Sequence, residues 1–191
     1  MIDLLKRQTS LAKGLVLDVL SEGDSAVDAT AGTGADTVFL ANVVGENGRV
    51  YAFDNQWEAI SKTAARLRAA GLTQRVSLFF RGHETMGDNE ALRRDSGIKA
   101  FMFNLGYLPG GNHQKTTSAE TTLTAIKSAL KLLAPGGIIT ILAYMHPEGR
   151  QEYDALSLYL STLLNPYDVY RVETVNHQNA PVLFVITKKE E

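Results

Sequence analysis

The ten residues from Asp28 to Thr37, DATAGTGADT, have the composition of a loop that binds a small ligand through its backbone. Gly32 and Gly34 allow the backbone to approach a ligand closely. Asp54 follows the next apolar run, where we expect a carboxylate near solvent that can accept hydrogen bonds from both hydroxyls of a ribose. A dinucleotide and S-adenosylmethionine both satisfy these features.

Two positions in this loop separate the two ligands. Thr37 stands where a pyrophosphate-binding loop has its third glycine, and Asp28 places a carboxyl group where it would repel a phosphate. S-adenosylmethionine has no phosphate and carries a sulfonium and an ammonium group, so a carboxylate at this turn favours it. The loop therefore predicts S-adenosylmethionine as the cofactor, with an NAD-dependent oxidoreductase as a distant alternative. A second interpretation of Asp28 is that it only accepts hydrogen bonds from N–H groups of the loop.

The stretch from Asn104 to Tyr107, NLGY, resembles in its placement the N/D-P-P-Y motif of amino-group methyltransferases, and this resemblance implies a site that holds an amine beside a methyl donor. Methyl transfer from sulfur to nitrogen is an in-line displacement, so the protein must aim the lone pair of a neutral amine along the C–S bond. The Asn104 side-chain oxygen and the Leu105 carbonyl can accept the amine hydrogens. The Tyr107 ring can stack on a flipped-out base, an interaction worth ~1–3 kcal/mol. The alternative is a polar strand end beside a packed tyrosine.

A proton acceptor would assist this reaction, because an alkylamine is mostly protonated at neutral pH. Histidine has the most suitable ordinary pKa. His113 follows the NLGY stretch and is the candidate base, and His146 lies after a later predicted strand. A surface role for either histidine, or proton transfer to bulk water, remains an equal alternative.

The other candidate cofactor contacts lie in the loop of residues 28–37, here called the glycine loop, or at and just beyond predicted strand ends. They are Thr30, Asp36, Thr37, Gln56, His83, Glu84 and Asn104, in addition to the residues named above. The sequence has no cysteine and no H-x-x-x-H or H-E-x-x-H spacing, and methyl transfer needs no metal. We therefore expect no metal site.

Apolar runs typical of strands alternate along the chain with segments of helical periodicity that end near glycine or proline. Predicted strands span residues 25–30, 48–54, 75–80, 98–105, 137–145, 167–175 and 180–189. Predicted helices span residues 35–44, 55–71, 83–95, 118–133 and 150–164. Thr117 and Glu120 have the spacing of a capping box at the start of the fourth of these helices.

This order of elements predicts a doubly wound, Rossmann-like α/β sheet of about seven strands, mostly parallel with a C-terminal antiparallel hairpin. The five βα units require right-handed crossovers, which place helices on both faces, and the last two strands are joined by a short turn. Ligands of such sheets lie beyond the carboxyl ends of the strands, where the candidate residues above follow their strands.

The composition limits the classes of function. With 191 residues, 45% of them hydrophobic, the chain is expected to form a single domain, residues 1–191, with an N-terminal amphipathic helix. Charges near the N-terminus interrupt any apolar run long enough for a signal peptide or a membrane span, so a cytoplasmic location is expected. A net charge of −2 gives no overall attraction for nucleic acid, although Lys6, Arg7 and Lys13 could form a local basic patch.

Two motifs resemble those of known methyltransferases. Asp28-x-Thr30-x-Gly32-x-Gly34 resembles motif I of class I S-adenosylmethionine-dependent methyltransferases, with Thr30 in place of the usual first glycine. Residues 104–107 are placed like the N/D-P-P-Y motif of amino-group methyltransferases, with leucine and glycine in place of the two prolines.

With FNLGYLPGG (103–111) and TTLTAIKSALKLLAPGG (121–137), nearly the whole chain resembles a family of small bacterial proteins labelled rRNA methylases. The resemblance implies methylation of the aminomethyl group of 5-aminomethyl-2-thiouridine at the tRNA wobble position, with tRNA as the partner. Alternatives are an rRNA or small-amine methyltransferase and, in another class, a module that binds S-adenosylmethionine without chemistry. The sequence leaves a monomer and a homodimer open.

Overall fold

The computed structural model describes residues 7–106, 117–145, 147–177 and 179–190. The strands are β1 (Ser25–Asp28), β2 (Arg49–Asp54), β3 (Val76–Phe80), β4 (Ile98–Asn104), β5 (Ile138–Ala143), β6 (Tyr167–Val172) and β7 (Val182–Lys188). The α-helices of the described residues are α1 (Gln8–Leu17), α2 (Ala35–Val43), α3 (Trp57–Ala70), α4 (Glu90–Arg94), α5 (Ala119–Leu132) and α6 (Pro147–Leu160).

The seven strands form one sheet in the order β3-β2-β1-β4-β5-β7-β6. Strand β1 pairs in parallel with β2 on one side and with β4 on the other, and β7 is antiparallel to both β5 and β6. The predicted fold is confirmed. Because the strand order reverses between β1 and β4, the loops that follow these strands diverge and leave a crevice at the carboxyl edge.

Helices cover both faces of the sheet because successive residues of each buried strand point to opposite sides. Ala26 belongs to a core cluster shared with α1, α2 and α3, whereas its neighbour Val27 belongs to a second cluster shared with α4, α5 and α6. All residues of β1 and β5 are buried, as expected for central strands covered on both sides. Within the described residues, no helix is long and apolar enough to cross a bilayer.

The predicted helix over residues 83–95 is wrong as a continuous element. The structure has a 3₁₀-helix at His83–Asp88 and a separate short helix, α4. The Asn89 side chain accepts hydrogen bonds from the N–H groups of Ala91 and Leu92 at 3.0 and 3.4 Å, and this cap begins a new helix within the segment. The helical periodicity of residues 83–95 continues across this cap, so it predicted one helix where the structure has two elements.

The predicted capping box of Thr117 and Glu120 is also wrong by one residue. Ser118 is the N-cap of α5, and its hydroxyl accepts the N–H of Thr121 at 3.3 Å while the Thr121 hydroxyl accepts the Ser118 N–H at 3.3 Å. The Thr117 hydroxyl is instead bonded to groups outside the helix.

The last two strands pair antiparallel as predicted, but both are shorter than predicted, and residues 173–181 connect them.

Candidate active site

A cavity of about 380 Å³ lies at the carboxyl edge of the sheet, where the crevice was expected. Its size is typical of sites for small organic ligands. Its walls come from residues 29–33, 35 and 36 of the glycine loop, from residues 54–56, 82–84 and 104–106, and from Thr117, Ser118, Thr121 and Tyr144. Among the described residues, no group of three His, Asp or Glu side chains is arranged to hold a metal ion.

The glycine loop turns sharply between β1 and α2. Gly32 and Gly34 have φ values of 53° and 80°, in the left-handed region that favours glycine. A Cβ atom on Gly34 would lie 3.0 Å from the Cα and Oγ1 atoms of Thr63 on α3. Gly34 therefore lets the loop pack on α3, whereas Gly32 lines the cavity.

Asp54 joins the end of β2 to the glycine loop. Its Oδ2 accepts the Gly32 N–H at 2.9 Å, and its Oδ1 accepts the Gln56 N–H at 2.9 Å. Burial raises the pKa of the Asp54 carboxyl above its ordinary value, and the two backbone bonds oppose that shift. Since each carboxylate oxygen can accept a second hydrogen bond, Asp54 can still receive a ribose diol.

Asp28 lies beneath the loop and is only 1% exposed. Its Oδ2 accepts the Thr37 hydroxyl at 2.6 Å, and its Oδ1 accepts the Thr30 N–H at 3.1 Å. Asp28, Gly34 and Thr37 were all candidate cofactor contacts, but none of them lines the cavity. The geometry matches the second interpretation of Asp28, in which its carboxylate anchors the loop.

The stability of the protein is expected to depend on pH through Asp28. Burial, reinforced by the charge of nearby Asp36, raises the pKa of the Asp28 carboxyl from 3.8 to about 7. A raised folded-state pKa stabilises the native state below the ordinary pKa, and this contribution is lost as the pH rises towards the folded-state value. Between about pH 5 and about pH 8, the unfolding free energy of the native chain should fall by about 2–3 kcal/mol relative to that of Asp28→Asn.

Denaturant unfolding of the two proteins across this pH range measures that difference. The asparagine variant is the matched control because its amide keeps the size of the carboxyl group and does not titrate. A pH-independent difference would mean that Asp28 is ionised throughout the range in the folded protein.

Three carboxylates line the cavity, and no lysine or arginine is among its described lining residues. They belong to Asp36, Asp54 and Glu84. Asp36 forms an ion pair with Lys13 of α1 at 2.8 Å. The Lys13 ammonium also lies 5.2 Å from the centre of the Phe39 ring, so it is engaged at the edge of the site and not in an open basic patch.

His83 forms part of the cavity wall and is 5% exposed. Its Nδ1 lies 3.2 Å from the Ala29 carbonyl oxygen, and its Nε2 lies 3.5 Å from the Thr122 hydroxyl. Burial lowers the pKa of the His83 imidazole, which favours the neutral ring. In the neutral ring, the contact with Ala29 assigns the proton to Nδ1, which donates to the carbonyl oxygen.

The end of β4 is tied to the glycine loop by Thr30. The Asn104 N–H donates to the Thr30 hydroxyl at 2.8 Å, and both residues line the cavity. A glycine at position 30 could not form this bond, which gives a physical role to the departure from motif I. The structure thus brings Thr30, Gly32, Asp36, Asp54, Gln56, His83, Glu84 and Asn104 together around one cavity.

Tyr107, His113 and His146 lie outside the described residues, as does Lys6. Sequence reasoning missed Thr117, Ser118 and Thr121, which line the cavity from the start of α5. The only available signal was the threonine-rich run before that helix, which indicates a helix start as readily as a site.

Comparisons with known proteins agree with this geometry. A family model described as "Putative rRNA methylase" matches residues 50–188. The chain is 36% identical over 195 residues to a protein named "tRNA (mnm(5)s(2)U34)-methyltransferase, chloroplastic" from Arabidopsis thaliana, across 97% of this chain and 70% of the relative.

Two solved bacterial structures have the same fold. A "putative rRNA-methylase" from Clostridium thermocellum superposes with a TM-score of 0.90 at 39% identity, over 95% of this chain and 97% of the other. A "putative methyltransferase" from Streptococcus mutans, solved with SAH, superposes with a TM-score of 0.85 at 34% identity, over 95% and 98% of the two chains. The predicted family is confirmed: the chain belongs to the putative rRNA methylase family, a group of class I methyltransferases.

Proposed function

We propose that this protein uses S-adenosylmethionine to methylate the aminomethyl group of 5-aminomethyl-2-thiouridine at the wobble position of tRNA. The observation that carries the proposal is that Asp54 and Asn104 line one cavity, one suited to a ribose and the other to an amine. The name of the Arabidopsis relative supports the choice of tRNA and of this nucleoside.

The charges around the cavity fit the methyl donor. Of the three carboxylates that line the cavity, Asp36 is paired with Lys13, and Asp54 and Glu84 face a described lining without lysine or arginine. This lining attracts a cationic ligand and disfavours the pyrophosphate of NAD. Asp54 would hold the ribose, and the backbone at Gly32 would allow close approach of the cofactor. Gln56 and Glu84 would flank the cofactor. When bound, the cofactor supplies an electrophilic methyl group on a sulfonium. The SAH complex of the Streptococcus mutans relative supports this choice.

The residues of the chain supply orientation at the amine end of the cavity. The Asn104 side-chain oxygen accepts an amine hydrogen and thereby aims the nitrogen lone pair, and the Leu105 carbonyl is the second acceptor. Positioning of this kind contributes strongly to the rate of displacement reactions. The reactants lose their translational and rotational freedom when they bind, so this loss no longer adds to the barrier of the chemical step. Tyr107 and His113 keep their proposed roles as stacking residue and base.

Methylation of bulk RNA tests the proposal. tRNA and rRNA are purified from cells that lack the enzyme and incubated with the protein and S-adenosylmethionine, and nucleosides are then identified by mass spectrometry. We expect 5-aminomethyl-2-thiouridine in tRNA to gain one methyl group and rRNA to remain unchanged. A tRNA transcript without modified nucleosides is the matched control, since it carries no aminomethyl group.

The alternatives give different results in the same assay. Methylation of rRNA alone would reject the tRNA substrate, and methylation of a free amine but of neither RNA would indicate a small-molecule enzyme. Cofactor binding without methylation of any of them would indicate a binding module.

A further inference from the structure

A buried carboxylate lies behind the amine end of the cavity. Glu152 on α6 is 5% exposed and does not line the cavity. Its Oε2 accepts the Thr117 hydroxyl at 2.8 Å, and its Oε1 accepts the hydroxyl of Thr122. Burying a carboxylate is costly unless it accepts such hydrogen bonds. These two donors therefore fix where the carboxylate lies and, in turn, how their own hydroxyls point.

The Thr117 hydroxyl extends this contact to the substrate side. Because its hydrogen is donated to Glu152, its oxygen can accept the Gly106 N–H, which lies 3.2 Å away. Thr117 and Gly106 both line the cavity. A hydrogen-bonded path therefore runs from α6 through Thr117 to the residue that lies two positions after Asn104.

Three consecutive N–H groups at the end of β4 are held by three different parts of the fold. The Asn104 N–H donates to Thr30, and the Leu105 N–H donates to the Leu142 carbonyl at 3.0 Å. The Gly106 N–H is held by Thr117, beyond the last register pair of β4 with β5. Gly106 has a φ of 126°, a conformation that residues other than glycine rarely adopt, and the bond of its N–H to Thr117 holds the backbone in that direction.

We propose that Glu152 is a positioning residue for methyl transfer. It orients the Thr117 hydroxyl towards the Gly106 N–H and so fixes residues 104–106, which present the two amine acceptors. This inference rests on the proposed function, since it takes these residues as the amine site. Displacements of about 1 Å in such a site can cost on the order of 100-fold in rate, so a hydroxyl that turns away has a measurable effect.

Substitutions at Thr117 separate the hydroxyl from the rest of the side chain. Thr117→Val keeps the shape and removes the hydroxyl, and it should lower kcat by about 10- to 100-fold with little change in cofactor affinity. Thr117→Ser keeps the hydroxyl and should retain most of the rate. Thr124→Val is the matched control, since the Thr124 hydroxyl bonds only the Glu120 carbonyl on the exposed side of α5.

Substitutions at Glu152 test the remaining link. Glu152→Ala should reduce kcat about as much as Thr117→Val, and Glu152→Gln should be intermediate because it keeps one acceptor oxygen. The combined variant Thr117→Val/Glu152→Ala should be no slower than the slower single variant, because both changes break the same path. Each variant is compared with the native chain at full cofactor saturation and for thermal stability.

Amide hydrogen exchange of the peptide that contains Gly106 gives a readout that needs no substrate. Exchange there should accelerate in Thr117→Val and Glu152→Ala but not in Thr117→Ser or Thr124→Val. Unchanged exchange, equal losses in Thr117→Val and Thr117→Ser, or lower stability with unchanged kcat would each overturn the inference. If the native chain does not methylate tRNA, the proposed function fails, and the exchange result still decides whether Glu152 fixes this segment.

Discussion

Replacing Asn104 by alanine is expected to lower kcat for tRNA methylation by about 100-fold or more while cofactor affinity stays nearly unchanged. The substitution removes an acceptor that orients the amine in the transition state, and such losses appear in kcat rather than in ground-state binding. The fold should survive, because the Asn104 backbone is held through β4 pairing and through the bond of its N–H to the Thr30 hydroxyl at 2.8 Å.

Single-turnover methylation with saturating cofactor measures this effect, and thermal unfolding verifies that the variant is folded. Asn104→Asp keeps an acceptor oxygen and should retain more activity than Asn104→Ala. Asn42→Ala is the matched control, since Asn42 is an exposed asparagine of α2 whose side chain bonds the Val38 carbonyl. Native turnover in folded Asn104→Ala would place the amine acceptor elsewhere, and Tyr144, which lines the cavity, would be the next candidate.

Replacing Asp54 by alanine is expected to weaken S-adenosylmethionine binding by roughly 1.5–3 kcal/mol, or about 10- to 150-fold. The change removes a charge-assisted acceptor for the ribose and also releases the Gly32 N–H that it holds at 2.9 Å. The position at a strand end predicts little effect on folding. The structure gives a reason to expect a cost that this position does not reveal: two backbone N–H groups lose their acceptor, so the unfolding free energy should fall by about 1–3 kcal/mol.

Calorimetric titration measures the affinity, with NAD as the reference ligand. Asp95→Ala is the matched control: Asp95 accepts the Gly97 N–H at 2.8 Å and the Tyr51 hydroxyl at 2.9 Å, but it does not line the cavity. That variant should lose stability and keep its affinity. If Asp54→Ala binds as tightly as the native chain, Asp54 is not the ribose acceptor, and comparable NAD binding by the native chain would contradict the cofactor assignment.

The hydrophobic periodicity was sufficient to predict the order and type of nearly every element. Strand β2 is a clear case: residues 48–54 were predicted and Arg49–Asp54 are observed, because four consecutive buried residues separate a glycine turn from a polar strand end. The segment 83–95 was predicted less well because a local side-chain contact, the Asn89 cap, overrides its periodicity. Sequence patterns carry little information about which polar side chain will turn back to its own backbone.

The candidate site was predictable where a residue ends a strand or follows its end within three positions. Asp54, His83 and Asn104 occupy such positions, and a doubly wound sheet brings those positions to one edge. Side-chain direction was not predictable in the same way. Asp28 ends β1, two residues before the predicted end of that strand, and it lies beneath the loop, where it accepts the Thr37 hydroxyl of α2. The bond between Thr117 and Glu152 joins residues 35 positions apart, and the pattern that included Thr117 in the sequence was the incorrect capping box.

The acidic lining of the cavity has a consequence for turnover. On the proposed function, methyl transfer converts a positively charged sulfonium into a neutral thioether, while Asp36, Asp54 and Glu84 are unchanged. Their attraction for the ligand is therefore weaker after the reaction than before it. The same carboxylates that help to load the methyl donor thus favour replacement of the spent form by a fresh molecule of the donor.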